Sequence, residues 1–318
     1  MSTLASKINK VTFAEISTLP CFIDGHCEIS ALIKGESHLC FKVIFSKNGV
    51  KSHYFVKSLT EHQQTSQAEV NSHISAAEHG FAPAVIFYSS LWLVSAFIEG
   101  YSLHQFYANH PKFSLASKVT IAMSLMAKSH QLKASSEHLV INVVELLTGL
   151  VNIQLYTQQQ KLQLLIIIKK ITKFLSANKN LVLCHGDLND ENIRLSTEFE
   201  TSELTEKTWL VDFECSSLAE AEYDIAMYLA INELSESNID EVIDCYQQYS
   251  PLQLNHEKVR NYLACCYLIN GLWYLEAGGD SEQAKAFAAK ACQQFVLFDQ
   301  LTLVEEKVVT LLNPLLVN

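Results

Sequence analysis

A chain of 318 residues, 49% hydrophobic and 18% charged, can bury a sizeable core, and its length favours two lobes over one. A net charge of −11, with arginine only at Arg194 and Arg260, argues against nucleic-acid binding, which needs clustered basic side chains to displace counterions. Nine cysteines without a C-x-x-C pair, Cys21 and Cys27 being isolated, read as reduced thiols of a cytoplasmic protein rather than a zinc site.

From the start, Met1–Lys10 has no apolar signal-peptide core. Residues 21–58 read as a β-meander, with strands at Cys40–Phe45 and Ser52–Ser58 joined through Lys47-Asn48-Gly49-Val50. Asn-Gly tolerates the positive φ of a two-residue hairpin turn. Before it, Ile33–His38 turns between two strands around Gly35 and Ser37. A helix is expected over Glu61–Glu78, closed by Gly80 and Pro83. Strands follow at Phe81–Tyr88 and Leu91–Phe97, until Ile98-Glu99-Gly100 breaks the pattern.

Beyond Gly100 the spacing is helical except for one hairpin. Leu115–Leu132 is a helix carrying His130 near its end, which reads as a core histidine. The apolar run Leu164–Ile168 is stopped by Lys169 and Lys170; it is too short to span a membrane and reads as part of a buried helix. Leu181–Leu183 is a short strand entering a loop, Ile193–Leu195 leaves it, and Thr208–Phe213 returns as the hairpin partner across a polar tip. The tail from Glu222 to Leu316 reads as about five helices, one of them opened by Asp280 and Gln283 as a capping pair.

The loop and hairpin carry the chemistry. Cys-His-Gly-Asp-Leu-Asn-Asp-Glu-Asn at 184–192 places Asp187 upstream of Asn192, and Leu-Val-Asp-Phe-Glu at 210–214 delivers Asp212 at the end of an apolar run. Phosphoryl transfer needs a carboxylate to orient and accept the proton of an attacking hydroxyl, and oxygen ligands to hold Mg²⁺ on a triphosphate. Asp187 suits the first task; Asn192 and Asp212 suit the second.

The form His-Gly-Asp-x-x-x-x-Asn with Asp-Phe-Glu resembles the kinase-like superfamily, in the branch of aminoglycoside phosphotransferases and choline kinases. That resemblance implies an α+β, two-lobed protein-kinase-like fold with ATP and Mg²⁺ as cofactors. Residues 1–99 would form a β-rich nucleotide-binding lobe, and 100–318 a mainly helical catalytic and substrate-binding lobe. It implies that Lys57, at the end of Tyr54-Phe55-Val56-Lys57, steadies the α- and β-phosphates, and that Glu69 anchors it as an ion pair. Gly35 and Ser37 would lie in the phosphate-covering loop. Backbone groups from Ser95 to Phe97 would meet an adenine edge, with Val56 and Val94 as an apolar wall. His185 would buttress the catalytic loop and Asp224 would brace it.

After Asp212 the chain reaches Tyr223-Asp224-Ile225-Ala226 with no Ala-Pro-Glu and no room for a peptide-docking activation segment, so the acceptor implied is a small hydroxyl compound. The run 211–217 is most similar to choline and ethanolamine kinases and to thiamine-kinase-like relatives. The resemblance implies Glu214 and Trp273 as groups facing a cationic amino alcohol, through charge and a ring face. Asn270 and Leu218 stand where aromatics of a choline cage would be, so choline itself is not assured. An aminoglycoside or other sugar kinase is the second reading. A nucleotide-binding regulatory protein without turnover is the third; the intact set Lys57, Asp187, Asn192 and Asp212 argues against it.

Overall fold

The computed structural model describes residues 10–32, 39–59, 66–110, 114–175, 180–196, 208–278, 284–301 and 303–316. The chain forms two compact units. The first comprises Met1–Pro111, Leu132–His138 and Glu191–Ser216; the second comprises Lys112–Gln131, Leu139–Asp190 and Ser217–Asn318.

In the first unit, strands β1 (His26–Leu32), β2 (Cys40–Lys47), β3 (Val50–Ser58), β4 (Val85–Tyr88) and β5 (Trp92–Ala96) form an antiparallel sheet in the order β1-β2-β3-β5-β4. The expected hairpin is present. Asn48 (φ 53°) and Gly49 (φ 80°) supply the two left-handed residues that let β2 turn into β3 without splaying the pair. One face of the sheet buries Phe41, Val43, Phe45, Val56, Trp92 and Val94 under Ile16, Leu19 and Phe22, which come from α1 (Lys10–Ser17) and the turn after it. Each such side chain contributes about 2 kcal/mol on burial. On α2 (Ser66–Glu78), Val70 packs with Leu59 and Leu93. Side chains alternate along a strand, so Val56 enters the α1 cluster while Lys57, in register with Leu93, turns to the α2 side.

A smaller antiparallel sheet in the same unit has β6 (Gly100–Ser102), β8 (Ile193–Ser196) and β9 (Thr208–Leu210) in that order. Ser102 also caps α3 (Leu103–Asn109) in a reciprocal pair with Gln105. Three strands are shorter than expected, β5 by one residue at each end and two others by more. Phe81–Ala84 stays outside β4, because Pro83 offers no N–H to a ladder and its carbonyl accepts from His73 Nε2 (2.9 Å). β9 stops at Leu210 because Asp212 takes a left-handed backbone (φ 66°) that no strand can hold.

The second unit is helical: α4 (Leu115–His130), α5 (Val143–Asn152), α6 (Gln158–Thr172), α7 (Ala221–Ile231), α8 (Ile239–Gln247), α9 (His256–Gly278), α10 (Ala284–Gln300) and α11 (Val308–Leu316). A short antiparallel pair, β7 (Leu181–Cys184) with β10 (Ser217–Glu220), accompanies them. α9 packs on α5, α6, α7, α8 and α10 and is apolar nearly all round, as a central helix must be. Among the described residues, α7–α11 match the expected five helices of the tail. The proposed capping pair Asp280 and Gln283 lies outside the described residues. The run Leu164–Ile168 is amphipathic rather than wholly buried: Leu164, Ile167 and Ile168 are inside, while Leu165 and Ile166 are exposed. No helix among the described residues is long and apolar enough to cross a membrane.

Candidate active site

The first unit gathers charge around Lys57. Its Nζ donates to Glu69 Oε1 (2.7 Å), Asp212 Oδ1 (2.7 Å) and Glu214 Oε2 (2.9 Å). Lys57 and Glu69 are each only 4% exposed. Burial works against the ammonium charge, but Asp212, Glu69 and Glu214 outweigh it and hold the lysine well above its usual pKa. For Glu69 burial prevails over Lys57 and raises the carboxyl. The expected Lys57–Glu69 pair is therefore present. Glu214, expected to face the acceptor, meets Lys57 in this unit.

Asp212 reaches the lysine because its positive φ turns the chain sharply after β9. Phe213 fixes the next step by packing its buried ring on His73, 5.5 Å between centroids. Burial pushes the His73 imidazole down to about 4, so the ring is neutral. Asn192 sits at the mouth of the same hairpin, where its carbonyl accepts the Val211 N–H (2.9 Å), just beyond the Ile193–Leu210 pair. The hairpin thus brings Asn192 and Asp212 to one end of β8 and β9.

The adenine-edge expectation meets a constraint. Ser95 is buried and paired with Phe55 on one side and Val85 on the other. The Ala96 amide donates to the Ala84 carbonyl (2.9 Å) and the Phe97 amide to the His53 carbonyl (3.1 Å), so those two donors are used within the sheet. Sequence reasoning missed the neighbouring clasp, in which Lys42 Nζ and His53 Nδ1 both meet Glu99 Oε1 (2.6 Å each) and Lys42 lies 4.3 Å over the Phe97 ring. Gly35 and Ser37 lie outside the described residues.

The second unit holds His185 and Asp187 in the loop after β7. Gly186 has φ 77°, which a Cβ would strain, and this turn aims two successive amides at one carboxylate. Asp224, on α7, accepts the His185 N–H at Oδ2 (3.0 Å) and the Gly186 N–H at Oδ1 (2.9 Å). His130 on α4 meets the same carboxylate through Nε2 (3.0 Å), and its Nδ1 lies 2.7 Å from the Tyr246 hydroxyl. Burial would raise the Asp224 carboxyl, but His130 and the Gly186 amide outweigh it and hold it below the usual range. Cys184 adjoins this pair, its thiol pushed well up by burial. His130 is thus a satisfied core histidine with a task, and Asp224 is the expected brace.

His185, expected to buttress the loop, is fully buried, and its Nδ1 accepts the Asp187 amide (3.3 Å). Asn189 Nδ2 donates to Asp187 Oδ1 (3.0 Å), and Asn232 Nδ2 donates to the Leu188 carbonyl (3.1 Å). Neither asparagine carries a signal of its own in the sequence: Asn189 sits at an unassigned place inside the 184–192 motif, and Asn232 lies in no motif. Trp273, on α9, is 42% exposed and so is not core. Its ring lies 5.3 Å from Tyr274 and 6.3 Å from Phe287, and Lys290 Nζ lies 5.2 Å over Tyr274. Asn270, one turn earlier, has a buried side-chain amide nitrogen with no hydrogen-bond partner among the described residues.

Comparison with known proteins gives these groups a context. No curated protein matches the chain in sequence. Among solved structures, a choline/ethanolamine kinase family protein from Mesorhizobium loti is similar with a TM-score of 0.67 at 16% identity, covering 96% of this chain and 98% of that one. Choline kinase from Cryptosporidium parvum Iowa II gives a TM-score of 0.65 at 16% identity over 98% and 100%. The choline kinase LicA in complex with AMP gives 0.63 at 15% over 92% and 98%. These likenesses establish a protein-kinase-like α+β fold. The family model for choline/ethanolamine kinase matches residues 29–304, so the chain belongs to that family of small-molecule kinases.

Proposed function

We propose that this chain transfers the γ-phosphoryl group of Mg·ATP to the hydroxyl of a small amino alcohol of the choline, ethanolamine or thiamine kind. The observation that carries the reading is the hold of Glu69, Asp212 and Glu214 on one buried lysine. A flexible ammonium becomes a positioned charge only when anchored, and phosphate recognition needs a positioned charge. The nucleotide side falls to residues 1–99, and acceptor binding to residues 100–318. The AMP complex of LicA supports an adenine nucleotide as donor. A cytoplasmic setting, where ATP is supplied, goes with this reading.

The donor set fits a divalent cation. Three carboxylates on one ammonium leave excess negative charge, and a hard cation prefers such oxygens. Asn192 and Asp212 would hold Mg²⁺, which when bound neutralises charge on the phosphates. Lys57 steadies the phosphates. Asp187 orients the acceptor hydroxyl and takes its proton on a carboxylate oxygen, while the bond from Asn189 to Oδ1 fixes the plane of that carboxylate. Asp224 and His185 keep the loop in place.

On the acceptor side, Trp273 offers a ring face to a cation. The Asn270 amide, unpartnered among the described residues, offers a hydrogen bond where a cage aromatic would stand. The ring suits any compact cation, whereas the Asn270 amide favours an amino alcohol that also accepts a hydrogen bond over choline itself. The test is an ATP-consumption screen over choline, ethanolamine, thiamine, aminoglycosides and simple sugars. Turnover with an amino alcohol is expected. Turnover confined to sugars or aminoglycosides overturns the acceptor class, and nucleotide binding without any turnover overturns the enzyme mechanism.

A further inference from the structure

Asp190 lies between the proposed base, Asp187, and the proposed metal ligand, Asn192, and has no part in the chemistry described so far. It is 8% exposed. Its Oδ2 makes a direct ion pair with Lys118 of α4, while Oδ1 is buried with no hydrogen-bond partner among the described residues. A buried carboxylate with one oxygen left unpaired among the described residues depends heavily on the cation that meets the other. Removing that cation leaves an uncompensated charge, which the loop relieves by moving toward water.

α4 meets the loop a second time at its other end. There Ser129 Oγ donates to the Leu183 carbonyl (3.2 Å), and His130 pairs with the Asp224 carboxylate that holds the His185 and Gly186 amides. Lys118 and His130 are about 18 Å apart along the helix axis. The stretch from 185 to 190 spans at most about 18 Å when fully extended. The loop carrying Asp187 is therefore tied to one rigid helix at both ends. The tie at 185–186 fixes where the loop begins; the Lys118–Asp190 tie fixes its exit.

We propose that Lys118 is a positioning residue for phosphoryl transfer, setting the aim of Asp187 through its ion pair with Asp190. The proposal rests on the reading of Asp187 as the base. A misaimed base slows the chemical step without weakening nucleotide binding, because effective concentration falls steeply with small displacements.

The experiment uses the full chain with Mg·ATP and ethanolamine. Lys118→Met is expected to lower kcat at least tenfold while KM for ATP stays within about threefold. Lys118→Arg should restore kcat to within about threefold, and Asp190→Asn added to Lys118→Met should recover activity, since it removes the stranded charge. A second readout needs no acceptor: amides of 185–190 should exchange with deuterium at least tenfold faster in Lys118→Met, with the melting temperature of the remainder retained. Wild-type kcat and exchange in Lys118→Met overturn the proposal, as does equal damage in the Met and Arg variants. Asp187→Asn, run alongside, separates the two ideas. Activity surviving in Asp187→Asn refutes the base, whereas an inactive Asp187→Asn beside an unaffected Lys118→Met refutes only the positioning role.

Discussion

Lys57 Nζ lies 2.7 Å from Asp212 Oδ1, joining residues 155 positions apart in the chain. The lysine comes from the last turn of a strand alternation and the aspartate from a left-handed kink after a hairpin. Neither arrangement is stable by itself. A buried ammonium needs counter-charge, and a strained backbone persists only when its surroundings hold it.

That relationship predicts the effect of Asp212→Asn. An amide keeps the shape and can still meet Lys57, so folding should survive. Loss of the anionic oxygen should cost several kcal/mol of transition-state stabilisation, roughly a 10³-fold drop in kcat. Steady-state rates with Mg·ATP measure it; near-normal turnover with a folded variant refutes the metal role.

Asp187→Asn separates chemistry from binding. Proton acceptance by a positioned carboxylate is worth about 10²–10⁴-fold, so kcat should fall by that order while ATP affinity, measured by titration calorimetry, changes little. Lost nucleotide binding with the fold intact would move Asp187 to another role.

The brace gives a pH prediction. Asp224 is held below its ordinary carboxylate value by His130 and the Gly186 amide against the pull of burial. A depressed acid contributes stability that is complete above its unfolded value, near 3.9, and is lost as pH falls through the lower folded value. Wild-type stability should therefore drop on the acid side of about pH 4, and Asp224→Asn should flatten that part of the curve while lowering stability at pH 7. Denaturant melts between pH 2 and 7 test this; an unchanged acid limb in the variant removes the carboxylate from the account.

Trp273→Leu addresses the acceptor. Because the indole is 42% exposed, the change should leave the melting temperature nearly unaffected. A ring face on a cation contributes about 1–2 kcal/mol, so KM for the amino alcohol should rise by roughly five- to thirtyfold and KM for ATP should not. Wild-type behaviour toward every accepted alcohol would take Trp273 out of the site.

Much of the fold was legible along the chain because its signals are local. The Asn48-Gly49 turn and the helical spacing of 115–132 each depend on neighbours a few residues apart, and the hairpin around the polar tip joins strands consecutive in the chain. The strand ends were less legible. Pro83 cut one strand short and the positive φ at Asp212 another, and the second of these appears only when the backbone is bent to reach Lys57.

The sequence by itself determined which chemistry-bearing side chains the protein owns: Asp187 and Asn192 at a fixed spacing, Asp212 after an apolar run, Lys57 at a strand end. Tertiary structure decided what each one faces. It turned Glu214 onto Lys57, pinned Asp187 with Asn189, linked Tyr246 through His130 to the brace at Asp224, and set Lys118 on Asp190. Most of these links join side chains from elements far apart in sequence. Charge and burial set their strength, and both depend on which surfaces the folded chain closes away from water, which no local spacing encodes.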